Sequence, residues 1–93
     1  MLMHLTFTAE PGKSSELRTV LTPLILASRT EQGCLQYDMY QSQEDPHRFE
    51  IFEDWATEAD LQNHCQSAHF LTFKANCGGL IANKVKEMLD PLV

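Results

Sequence analysis

Hydrophobic positions along the chain change their period several times, and each change marks an element. Residues 1–9, "MLMHLTFTA", set Leu5 and Phe7 among Thr and His in a near-alternating run that predicts a strand. Pro11-Gly12 turns the chain, and Ser14 is the expected cap of a helix. Leu17, Val20, Leu21, Leu24 and Ile25 then recur at helical spacing to about Thr30. Pro23 should kink that helix, since it removes a backbone donor, and Gly33 is available as a left-handed cap.

Two alternating runs come next. In "CLQYDMYQS" Leu35, Tyr37 and Met39 share one side, and in "HRFEIFEDW" Phe49, Ile51, Glu53 and Trp55 do the same. The polar "SQEDP" between them predicts a hairpin. Thr57 caps a short helix with an acidic first turn, and a second helical stretch starts near Ala68 and ends by Gly78-Gly79. The tail "NKVKEMLDPL" suits a helix or a strand equally on propensity.

The resulting order, β-α-β-β-α(α)-β, is that of the ferredoxin-like split βαβ: an α+β fold with an antiparallel sheet and its helices on one face. A chain of 93 residues has a thin core, and Phe52 adds an aromatic to the hairpin's other face. The uncovered face is therefore expected to be buried against a second copy, in a homodimer. Residues 1–93 read as one domain, without linker or low-complexity segment.

Charge removes some functions. The net charge is −6 and the seven basic residues are spread along the chain, so nucleic acid is not an expected partner. No apolar run approaches a membrane span and no signal segment is present, which predicts a cytoplasmic protein with no membrane partner. Three cysteines, an odd number without a CxxC pair, fit reduced thiols.

A set of residues carries a family likeness. Pro11, Gly12, Lys13, Gly33, Cys34, Tyr37, Asp38, Phe49, Glu53, Trp55, His64, Ser67, His69 and Phe70 stand in an order that resembles the antibiotic biosynthesis monooxygenase (ABM) family of small, cofactor-free quinol-type monooxygenases. The resemblance implies a dimeric α+β barrel, with a final strand from about Lys84 packing across the partner. It also implies no cofactor, with molecular oxygen and a small aromatic as substrates. Two other functions stay open within such a fold. One is isomerisation of a small diketone, possible for a phosphorylated one although the tail offers only Lys84 and Lys86 as a cationic cradle. The other is a non-catalytic dimeric module that binds a small ligand.

The candidate chemistry centres on "HCQSAHF". His64 and His69 are five apart, about 140° around a continuous helix, and the third ligand on offer is Cys65 or a distant carboxylate. No metal site is expected there. A neutral histidine suits the general base that deprotonates a phenol, with His69 the favoured candidate and His64 the second. Each has a plainer role available, capping a helix or bonding a carboxylate.

Glu53 shares its strand face with Phe49, Ile51 and Trp55, where an unpartnered carboxylate is costly. A Glu53–histidine pair is the expected solution, and an ion pair with Arg29 or Arg48 the structural alternative. Tyr37 and Trp55 are candidates for an aromatic substrate wall, as are Phe70 and Met39, although all four suit a core as well.

Overall fold

The computed structural model describes residues 1–93 and contains four strands and three helices in the order β1 (Leu2–Ala9), α1 (Ser14–Ser28), β2 (Cys34–Gln41), β3 (Arg48–Trp55), α2 (Glu58–His64), α3 (Ala68–Asn76) and β4 (Ile81–Leu89). All strand pairs are antiparallel and the sheet order is β2-β3-β1-β4. This is the expected ferredoxin-like α+β arrangement. The tail, open on propensity, is a strand. It begins at Ile81 rather than near Lys84, and it pairs along β1 of its own chain.

Strand alternation builds the core. Met3, Leu5, Phe7 and Ala9 of β1 lie beside Phe49, Ile51, Glu53 and Trp55 of β3 on the face that the helices cover. Leu17, Leu21, Leu24 and Ile25 of α1 close over them. The opposite face carries His4 stacked on Phe52, with ring centroids 4.5 Å apart, and Tyr40 edge-on to Phe52.

Three local expectations change. The N-cap of α1 is Lys13, while Ser14 lies inside the helix with its hydroxyl buried and unbonded. The helix continues through Pro23 and ends at Ser28, earlier than Thr30, with Arg29 as its right-handed cap. Gly33 is left-handed, at φ +80°, but four residues beyond that cap, in the loop before β2.

Leu35 also changes sides. The register slips between Cys34 and Gln36, so one extra residue is accommodated in β2 opposite β3. Cys34 consequently turns towards the core with Tyr37 and Met39, and Leu35 is 66% exposed. Simple alternation misplaced Leu35 because a bulge adds one to the count.

Gly33 has a second constraint besides its backbone. A β-carbon there would overlap the carboxylate of Asp60, whose own N–H is bonded by the Thr57 cap. Gly33→Ala is therefore expected to cost about 1–3 kcal/mol, from left-handed strain plus displacement of Asp60. At Gly12, also left-handed, no atom lies within 4 Å of such a β-carbon, and Ala there should cost only the backbone share. Urea unfolding of the two variants, compared by midpoint at constant slope, measures the difference.

Candidate active site

Two short helices aim the histidines. Thr57 accepts from Asp60 N to start α2, and Ser67 accepts from Phe70 N to start α3. The break between them lets His64, at the end of α2, and His69, in the first turn of α3, approach with ring centroids 6.0 Å apart. A continuous helix would hold them about 140° apart.

Both histidines meet Glu31, a residue absent from the set expected at the site. His64 Nδ1 donates to Glu31 Oε2 at 2.6 Å, and His69 Nε2 donates to the same oxygen at 3.0 Å. Glu31 itself is pinned by its N–H to Ser28 O at 3.1 Å. Its position offered a signal: a carboxylate just past the C-terminal end of a helix opposes the helix dipole unless a cation or donor compensates it. Ser28 Oγ, which donates to Leu24 O, lies 3.5 Å from His64 Nδ1 and completes the enclosure.

Glu53 does not pair with either histidine or with Arg29 or Arg48. Its carboxylate, 3% exposed, accepts from Trp55 Nε1 at 2.9 Å. Arg29 instead donates to Tyr37 O and Asp38, while Arg48 approaches Glu50. Tyr37 stands opposite Glu53 across β2 and β3, with its hydroxyl against that carboxylate. Burial first, and then the Glu53 charge, push the Tyr37 phenol far above its ordinary range. Tyr37 thus stays a neutral donor in the site.

A cavity of about 310 Å³ lies between the sheet and the helices, at the small end for a small-molecule site. Its wall includes Leu5, Phe7, Ile51, Phe70 and Phe73, with Tyr37, Glu53 and His64 as polar members. Lys74, Lys84 and Lys86 also border it. Of the residues expected at the site, Tyr37, Glu53, His64 and Phe70 are brought together there. Trp55 is fully buried behind Glu53, and Met39 packs against the core outside the cavity. His69 does not line it either. A shallower cleft of about 540 Å³ near Ser15, Glu16, Thr19 and Asn76 has no histidine and no aromatic wall.

Cys65 lines the cavity and Cys34 lies near Glu31 and Glu53. Burial first, and the nearby carboxylates second, push both thiols above their ordinary range, so neither is poised as a thiolate nucleophile. Glu31, His64 and His69 hold one carboxylate oxygen and two imidazole nitrogens within 4.8 Å of one another, a donor set that a divalent transition metal accepts. Tetrahedral ligands about 2.0–2.1 Å from zinc stand about 3.3 Å apart. The 2.6 Å separation of His64 Nδ1 from Glu31 is instead that of a charge-assisted hydrogen bond.

The fold and the site together define a small α+β protein with an apolar pocket and a carboxylate-anchored histidine in its wall. The chain belongs to the antibiotic biosynthesis monooxygenase family, which it matches over residues 1–76. It is 34% identical over 87 residues to "Putative monooxygenase Rv0793" of Mycobacterium tuberculosis, spanning 92% of this chain and 85% of that protein. "Putative monooxygenase YcnE" of Bacillus subtilis is 33% identical over 66 residues, covering 71% of this chain and 70% of that protein. The crystal structure of PA3566 from Pseudomonas aeruginosa superposes with a TM-score of 0.95 at 37% identity, over 99% of this chain and 93% of that one. No helix of this chain is long and apolar enough to cross a membrane.

Proposed function

We propose that the protein is a cofactor-independent monooxygenase that oxidises a small phenol or quinol with O₂, using His64 as general base. One observation carries this reading. His64 is 1% exposed and lines the cavity, while its Nδ1 is committed to Glu31. A carboxylate acceptor fixes the Nδ1–H tautomer and leaves Nε2 as the ring's free basic nitrogen. His69 is a positioning residue here, since it shares the Glu31 oxygen from outside the cavity.

In this mechanism Nε2 takes the substrate hydroxyl proton, and the electron-rich anion reduces O₂. One oxygen atom enters the ring and the other leaves as water, so a hydroquinone and O₂ yield a hydroxyquinone and water with every electron supplied by the substrate. Phe70, Phe73 and Ile51 surround the ring and exclude water, and the Tyr37 oxygen, its hydrogen directed at Glu53, can accept from a substrate hydroxyl to orient it. The exposed sheet face, with Phe52, His4 and Tyr40, supports assembly as a homodimer.

The test is oxygen uptake with a panel of small hydroquinones, corrected for autoxidation. Saturable uptake that survives chelation is expected. Uptake lost to a chelator and restored by a metal would assign the Glu31–His64–His69 trio to metal binding. Uptake no faster than the blank across the panel would leave a diketone isomerase or a binding module, and phosphorylated diketones would be screened next.

A further inference from the structure

The chain has four lysines, and three of them, Lys74, Lys84 and Lys86, border the one apolar cavity described above. In a protein of net charge −6 this is a marked local concentration of positive charge. The fold explains how it arises. In the β1–β4 register Lys84 lies opposite Phe7 and Lys86 opposite Leu5, so both lysines stand on the helix-covered face. Lys74 reaches the same region from the last turn of α3. Of the four other basic side chains, Lys13, Arg29 and Arg48 approach Glu16, Asp38 and Glu50, and Arg18 stands unpaired on α1, away from the cavity. None of the three cavity lysines has an ion-pair partner. Lys74 and Lys84 instead hold their ammonium groups 6.0 and 5.8 Å from the Phe70 and Phe7 rings of the cavity wall. Lys84 and Lys86 lie beyond residues 1–76, the part that matches the family, so the cluster is not read from that match.

Building on the proposed oxidation, we propose that the substrate is an anionic aromatic. Its ring occupies the apolar cavity towards His64, and its carboxylate or phosphate group is held by Lys74, Lys84 and Lys86. The ammonium groups provide the charge-assisted donors that such a group needs, and the rings beneath them provide the apolar surface for its ring. Inward-pointing charge on an edge strand also discourages edge-to-edge pairing. That role alone would not place a third lysine on α3 beside the same cavity.

The experiment is anaerobic calorimetric titration, so that binding is read without turnover. Three probes are compared: hydroquinone, 2,5-dihydroxybenzoate and 4-hydroxyphenyl phosphate. At least one anionic probe is expected to bind wild type about tenfold or more tightly than hydroquinone. In Lys84→Gln/Lys86→Gln that advantage, taken relative to hydroquinone on the same variant, should shrink to about threefold or less. The tighter of the two anionic probes identifies carboxylate or phosphate as the preferred group. Equal affinity for all three probes overturns the proposal, as does an anion advantage that survives the double substitution. Should the double variant aggregate, Lys74→Gln on α3 decides the matter: about threefold or greater loss of anion affinity is expected, and no loss refutes it. Anion preference without oxygen uptake would sink the oxidation reading alone. Hydroquinone oxidation without anion preference would sink this one alone.

Discussion

Replacing His64 with glutamine is expected to lower hydroquinone-dependent oxygen uptake by at least about 100-fold, the lower end of the range for a positioned general base. Glutamine approximates the volume and polarity of the buried imidazole but offers no basic nitrogen. Circular dichroism and a melting curve must show that the variant is folded, because His64 contacts Trp55, Tyr37 and Phe70 as well as Glu31. Glu31→Gln supplies the complementary test. Its amide N–H₂ can donate to Nδ1, which favours the tautomer protonated at Nε2 and removes the lone pair that the mechanism needs. The loss should approach that of His64→Gln at similar thermal stability. His69→Ala, by contrast, should lose less than about tenfold, since His69 lies outside the cavity wall. A 100-fold loss in His69→Ala with a nearly active His64→Gln would transfer the base to His69.

Truncating Trp55 to alanine should cost about 3–5 kcal/mol, the usual range for a large buried aromatic. That is a large share of the roughly 5–14 kcal/mol expected for a domain of this size. The side chain is fully buried, and its indole N–H is the donor that partners the Glu53 carboxylate. Trp55→Phe separates the two contributions. It keeps an aromatic ring and deletes the donor, and should cost about 1–3 kcal/mol for the carboxylate left short of a partner. Urea midpoints for wild type and both variants give the comparison. A Phe variant as stable as wild type would mean that the Glu53–Trp55 bond contributes little to stability.

Much of the fold was legible because its signals are periodic. The alternation in β1 and β3, the helical spacing of Leu17, Leu21 and Leu24, and the Thr57 cap repeat or sit at fixed offsets that local physics reads directly. Leu35 was misplaced because one inserted residue reverses every earlier position in the strand, and nothing in "GCLQY" announces the insertion. The tail stayed ambiguous because β4 is an edge strand whose core-facing positions hold lysines, which breaks the expected alternation of apolar and polar residues. At the site, a carboxylate does pair with the histidines of "HCQSAHF", but it is Glu31 and not the expected Glu53. Glu53 needed a donor, and the nearest one was Trp55, two residues along the same strand face. Glu31 was hidden by distance: it lies 33 residues before His64, and no local pattern couples a loop carboxylate to a helix that far away.

The bulge at Leu35 gives the chain a spare unit of length. Removing that residue would leave Cys34 and Tyr37 in phase with their partners on β3, since the ladder already skips it. Removing a second residue would have no such slack: it would turn Cys34 outwards and draw Glu31 about 3.3 Å along the strand direction, away from the two imidazoles. The stretch from Glu31 to Tyr37 is therefore a spacer of set length. The loop carboxylate that anchors both imidazoles and an aromatic on the sheet stay aligned because one residue between them is allowed to stand outside the ladder.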